Sequence, residues 1–255
     1  MNQAKVLNFF GLLLIMFGMS FAIPLFVAIF YGESLIRVFG LGMSILVLMG
    51  FLSWFFTKDN KQELSLSDGF VITVLFWIVL SVSGSIPFIL FGFGVVDSFF
   101  ESMSGITTTG ATVIAGLDDL PKSLLIYRQL LQWLGGMGLI VLAIAVMPLL
   151  GIGGGQLFKT QTPGPMSEQR LTPRITSTAR ALWSIYLILT VLCIFAYRLA
   201  GMNFFDAVSH AFSTVSIGGF STHDLSIGFF DSRSIEIVCI VFMLLSAMSF
   251  AVHYS

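Results

Sequence analysis

Six stretches of this chain contain no Asp, Glu, Lys or Arg: 6–32, 38–57, 69–96, 129–158, 181–197 and 237–255. Each is close to or above the roughly 20 apolar residues that an α-helix needs to cross the hydrocarbon of a bilayer. A chain so divided has few folds open to it, because in lipid every backbone polar group must be satisfied within the protein. The expected class is an all-α integral membrane protein with six transmembrane helices. Composition agrees: 56% of residues are hydrophobic and 10% charged, against about 25% charged in a soluble domain. The first run is far longer than the roughly 7–15 apolar residues of a cleavable signal, and no small-residue cleavage site follows it.

The charges between the runs set an orientation. With the N-terminus cytoplasmic, the inner segments hold Lys5, Lys58, Lys61, Lys159, Arg170, Arg174 and Arg180, and the outer ones Arg37, Lys122, Arg128, Arg198 and Arg233. That is a modest positive-inside bias. The outer side then gathers Glu33, Asp97, Glu101, Asp118, Asp119, Asp206, Asp224, Asp231 and Glu236, a field that attracts cations. No basic cluster points to nucleic acid. Cys193 and Cys239 each lie inside an apolar run and read as small packed hydrophobes.

The segment Ser104–Val113, Ser-Gly-Ile-Thr-Thr-Thr-Gly-Ala-Thr-Val, is a hydroxyl- and glycine-rich loop between Glu101 and Asp118, too short to span. Such backbone is tolerated at membrane depth only where protein buries it or where it lines a water-filled path. Before it, Asp97 to Ser104 suits a half-spanning helix capped by Asp97, whose C-terminal end would favour a cation.

A shift of 109 positions lays Gly201 on Gly92, Asp206 on Asp97, Ser213 on Ser104 and Gly219 on Gly110. The second copy again follows a spanning helix (181–200), precedes another (235–254), and turns from a short amphipathic segment into a hydroxyl and glycine loop. The repeated order is what a re-entrant pore module requires.

Backbone carbonyls in a strained loop can replace a cation's hydration shell without adding full charge. Glycine permits the dihedrals this needs. The expected ion ligands are the carbonyls around Thr108, Thr109 and Gly110 and around Ile217, Gly218 and Gly219, with Thr107, Thr112, Ser216 and Ser221 as support. Asp97, Glu101 and Asp206 are expected as pore-helix N-caps and an acidic vestibule. Simpler readings stand beside these. Thr-Thr-Thr-Gly alone fits a surface turn, and Asp97 with Glu101 or Asp206 with His210, spaced i, i+4, fit metal ligands. Asp206 and His210 also fit an acid–base pair, but no serine or cysteine elbow accompanies them. His223 beside Asp224 reads as a solvated loop pair. The glycines of 151–155 suggest a phosphate loop, which Phe158 before Lys159-Thr160 rules out. Gly135-Gly136-Met137-Gly138 should let another helix approach closely.

At Thr-Thr-Thr-Gly-Ala-Thr (107–112), Ser-Ile-Gly-Gly-Phe-Ser-Thr-His-Asp (216–224), the stretch from Tyr127 to Gly138 and Thr162-Pro163-Gly164-Pro165, the chain resembles the Trk/Ktr/HKT superfamily of potassium transporters. The resemblance runs along the whole chain. It implies an N-terminal transmembrane hairpin (1–68), a first helix/pore-helix/filter-loop/helix module (69–158), a cytoplasmic linker (159–176) and a second module (177–255). It implies potassium as the transported ion, with Gly110 and Gly219 favouring it, and no organic cofactor. It also implies a multi-pass protein of the bacterial inner membrane, working as a homodimer with a cytoplasmic, nucleotide-binding TrkA-type regulatory ring. Members of the superfamily carry four modules, so the expectation is the N-terminal half of an uptake subunit, ending within the last helix of its second module. A non-transporting membrane scaffold is the rival expectation, and an intramembrane enzyme a further one.

Overall fold

The computed structural model describes the backbone of residues 3–58, 66–138 and 171–248, with side chains for 3–58, 68–138 and 182–248. Among the described residues the regular structure is entirely helical. The order is α1 (Gln3–Ser20), α2 (Ala22–Tyr31), α3 (Ile36–Thr57), α4 (Leu66–Phe91), α5 (Val95–Ile106), α6 (122–138), α7 (Leu171–Leu199), α8 (Phe204–Val215) and α9 (Arg233–Ala247). Four helical stretches are long and apolar enough to cross a membrane: Gln3–Tyr31, Ile36–Thr57, Asp68–Phe91 and Leu182–Leu199. The other two apolar runs continue into 139–158 and 249–255. These residues, and with them the glycines of 151–155, lie outside the described residues.

The first apolar run is one path but two helices. It breaks at Phe21, whose N–H turns back to the Gly18 carbonyl at 3.1 Å, three residues before Pro24, which has no N–H to give. Phe21 is fully buried, its ring 5.3 Å from that of Tyr127. Gly32 closes α2 in the left-handed region (φ 66), and α3 returns antiparallel to α1. At their crossing a Cβ on Gly11 or Gly50 would meet the other helix's backbone carbonyl at 2.8 or 2.6 Å. Without hydrophobic drive between helices in lipid, such close approach is what holds them, and Ser53 Oγ adds a bond to the Leu7 carbonyl (2.8 Å).

Tyr127 on α6 gathers this half: its ring contacts Phe21, Phe39 and Phe88, and its hydroxyl donates to the Gly84 carbonyl of α4 at 2.7 Å. A second core joins the end of α6 to α7, α8 and α9 through Met137, Tyr186, Cys193, Tyr197, Ala211 and Ile235. Both cysteines are unpaired, and Cys193 is buried as expected of a small hydrophobe. Large apolar side chains such as Phe26, Phe30, Phe56 and Phe70 project outward, the pattern of a lipid-facing surface. Helical backbone already begins at Leu171, within the expected 159–176 linker, and Pro173 falls in its first turn, where a missing N–H costs nothing.

Candidate ion-binding site

Both short helices end the same way. After α5, Thr108 N–H bonds the Gly105 carbonyl and Thr109 N–H the Ser104 carbonyl, each at 2.9 Å. After α8, Ile217 N–H bonds the Thr214 carbonyl (3.1 Å) and Gly218 N–H the Ser213 carbonyl (2.8 Å). This is the Schellman closure, which calls for a left-handed residue and usually uses glycine. Here the left-handed residues are β-branched: Thr108 at φ 54 and Ile217 at φ 55. A β-branched residue there is a genuine outlier, of the kind that clusters at functional sites. Two residues on, Gly110 (φ 77) and Gly219 (φ 81) are again left-handed. The four positions obey the offset of 109, as do the ends of α5 and α8 and the positive-φ pair Gly92 and Gly201.

The loops touch. A Cβ on Gly110 would run into the Gly218 carbonyl oxygen, whereas a Cβ on Gly219 would meet nothing within 4 Å. Thr109, Ile217 and Gly219 are exposed, while Gly218 and Phe220 are buried. The Gly218 carbonyl accepts from Gln132 Nε2 at 2.7 Å, so it is turned toward α6. Thr107 Oγ1 donates to the Met103 carbonyl (2.7 Å) and lies 2.8 Å from Thr109 Oγ1, and Ser216 Oγ donates to the Ser213 carbonyl (3.1 Å).

Each loop is strapped back to its short helix. Thr112 Oγ1 donates to the Glu101 carboxylate at 2.9 Å and accepts from Ile114 N–H at 3.1 Å. At the equivalent positions Ser221 Oγ lies 3.0 Å from His210 Nε2 and accepts from His223 N–H at 3.0 Å. Arg128 binds the first strap to the second loop. It holds Glu101 through Nε (2.8 Å) and Nη2 (2.7 Å), donates to Thr112 Oγ1 and to the Ser221 carbonyl (3.0 Å each), and lies 4.5 Å from the Phe220 ring centre. Behind both loops, a Cβ on Gly135 would hit the Ile106 carbonyl, and one on Gly136 would meet Tyr186 Oη at 2.8 Å and Ser216 Cβ at 3.1 Å. The small residues of α6 thus admit the ends of both short helices, the close approach expected of them.

The acidic residues depart from expectation. The N-cap of α5 is Gly94, in extended backbone, with Asp97 one turn in and exposed. The N-cap of α8 is Asn203, whose Oδ1 accepts from Asp206 N–H at 2.9 Å. Glu101 is no vestibule acid, since neither it nor Arg128 has exposed side chain. Asp206 is also buried, accepting from Thr222 Oγ1 at 2.7 Å. His223 is part-exposed in its loop but not free: it stacks on Phe229 at 3.5 Å and bridges Asp118 of the first loop to Asp206. Its hydrogen bond holds the Asp118 carboxyl below the usual carboxylate range. Asp224 accepts from the Gly116 (3.1 Å) and Leu117 (3.2 Å) N–H groups, so the outer ends of the two loops are clasped. No group of three His, Cys, Asp or Glu positioned for a metal occurs among the described residues.

Arg128 and Gln132 were not expected site residues. The signal was an arginine and an amide four residues apart at the head of an apolar helix, where an intramembrane polar residue is functional by default.

The family model described as TrkH, cation transport protein, matches residues 35–255. The Trk system potassium uptake protein TrkH of Halomonas elongata is 50% identical over all of this chain and 53% of its own length. The protein of that name from Escherichia coli K12 is 46% identical over the same shares. The crystal structure of the potassium transporter TrkH from Vibrio parahaemolyticus superimposes with a TM-score of 0.86 at 48% identity, covering 100% of this chain and 52% of that one. The chain therefore spans about half the length of the relatives it matches, which are named as transport proteins and not as enzymes. It belongs to the TrkH family of cation transport proteins.

Proposed function

We propose that the chain carries half of a potassium path, with the loops 107–112 and 216–221 as two of its oxygen-lined segments. One observation carries this reading: two β-branched residues and two glycines held left-handed at the same spacing, each pair after a short helix that stops among long apolar ones. Strain of about 1–3 kcal/mol at each β-branched residue persists only where the surroundings over-determine it, and here they leave Thr109, Ile217 and Gly219 exposed. The oxygens offered to potassium are the carbonyls of Thr108, Thr109, Gly110, Ile217 and Gly219, with Thr107, Thr112, Ser216 and Ser221 holding the turns. Glycine at 110 and 219 favours potassium. On this reading the chain divides into the hairpin 1–68, a first pore module 69–158, a linker 159–176 and a second module 177–255. Its N-terminus is cytoplasmic in a bacterial inner membrane, and it works as a dimer with a nucleotide-binding TrkA-type ring.

The test is rubidium uptake and growth at low potassium in cells lacking their own uptake systems, with the chain expressed alone and joined to the remaining half of a TrkH relative. Uptake that falls in Gly110→Ser and Gly219→Ser variants supports the reading. No uptake from either form, with the protein in the membrane, overturns it.

A further inference from the structure

The geometry points to Gln132 as a positioning residue for ion discrimination, an inference that rests on the potassium-path reading above. Its carboxamide is fully buried and makes two bonds to one loop: Nε2 donates to the Gly218 carbonyl (2.7 Å) and Oε1 accepts from Phe220 N–H (3.0 Å). The bonded groups belong to the two peptide units that flank Gly219. In a trans peptide the C=O and N–H point in opposite directions. With Phe220 N–H held toward α6, the Gly219 carbonyl of the same unit is aimed away from α6, the side on which Gly219 is exposed.

One side chain thus fixes both dihedrals of the residue best able to swing. Gly219 has no Cβ, sits in the left-handed region and has open space beside it, so without the amide either peptide unit could turn at little cost. The fit leaves no slack, since a Cβ on Gly218 would lie 2.5 Å from Gln132 Oε1 and 2.7 Å from Nε2. Glycine at 218 is therefore explained by the amide's approach rather than by its own backbone, which has no positive φ. The helix after the second loop cannot take over this role, because α9 beyond Glu236 carries no charged or amide side chain. A donor and an acceptor are both needed, and among neutral side chains of this reach only glutamine offers them side by side.

Two variants separate the bonds. Gln132→Glu keeps the shape and the acceptor for Phe220 N–H and, when ionised, sets an acceptor against the Gly218 carbonyl, while Gln132→Leu removes both partners. The full chain is expressed as above, and potassium and sodium uptake are compared at equal membrane abundance. Hydrogen exchange at the Phe220 amide is followed in the detergent-solubilised chain. The expected result is a fall of about fivefold or more in the potassium-to-sodium ratio for Gln132→Leu, the scale of one lost buried hydrogen bond. Exchange at Phe220 should quicken about tenfold in Gln132→Leu and stay slow in Gln132→Glu. A wild-type ratio in Gln132→Leu, or unchanged exchange at Phe220 in it, overturns the inference. Absence of selective uptake by the wild-type protein overturns the potassium-path reading itself, and the two failures are told apart by the wild-type arm.

Discussion

Replacing Arg128 by methionine leaves Glu101 as a carboxylate with no exposed surface and no counter-charge. The carboxylate keeps only the Thr112 hydroxyl (2.9 Å) and the Val113 N–H (3.2 Å). It loses the charge-assisted bond from Nε and the ion-pair contact with Nη2, and the second loop loses the donor to the Ser221 carbonyl. Breaking one side of a buried pair costs about 3–5 kcal/mol, a large share of a typical net stability of about 5–15 kcal/mol. At about 2–4 °C per kcal/mol for chains of this size, the midpoint of thermal unfolding should fall by about 6–20 °C. Trp54, Trp77, Trp133 and Trp183 make intrinsic fluorescence of the detergent-solubilised chain a direct assay. The decisive variant is the double one, Glu101→Leu with Arg128→Met, which removes both charges. Because an apolar replacement of a whole buried pair is often neutral, the double variant should recover at least about 2 kcal/mol of the single loss. Additivity of the two single effects within about 0.5 kcal/mol would refute the reasoning, since that is what uncoupled sites show.

Gly110→Ala and Gly219→Ala bear the same left-handed cost of about 1–2 kcal/mol, but only the first drives a Cβ into the Gly218 carbonyl. Gly110→Ala should be the more destabilising by about 1–3 kcal/mol in the same unfolding assay. Gly135→Ala, aimed at the Ile106 carbonyl, should cost about 1–3 kcal/mol and lower uptake with it. Because the folded-state pKa of Asp118 is depressed, chiefly by the hydrogen bond with His223, its stabilising share is complete above the ordinary carboxylate pKa and lost as pH falls through the lowered one. Unfolding midpoints of wild type and Asp118→Asn should differ from neutral pH down through the ordinary carboxylate range and converge only below it.

The helices were legible because charge-free length is a local property: the runs 38–57 and 69–96 became α3 and α4 within a few residues. The repeat was legible too, since Gly110 and Gly219 are local requirements of a left-handed turn. Asp97 and Asp206 stand one turn inside their helices rather than at the caps. The sequence offers Asp97 as a cap, but the helix starts where the backbone leaves the extended region, at Gly94 (ψ 147). The struts of the site were hidden for a different reason. Arg128 reads as an outer charge from its place at the edge of an apolar run, and its partners lie 27 residues back at Glu101 and 93 residues ahead at Ser221. Gln132 reaches 86 residues to Gly218. Periodicity and spacing carry no information about pairings at that separation.

The two straps show why those struts belong to α6 alone. In the first, the short helix presents a carboxylate at 101, and the arginine that neutralises it comes from the next helix. In the second, the equivalent position holds His210, whose Nδ1 faces the Asp206 carbonyl at 2.9 Å. A carbonyl only accepts, so Nδ1 carries a proton, and in the neutral ring Nε2 then accepts from the Ser221 hydroxyl. An imidazole can thus complete this strap in its neutral form, with no counter-charge. It has to, because α9 offers no cation past Arg233, and a carboxylate at 210 would be buried unpaired at a cost of several kcal/mol. The repeat preserves the left-handed turns and their backbone bonds and exchanges the buried side chains behind them for whichever set the neighbouring helix can neutralise.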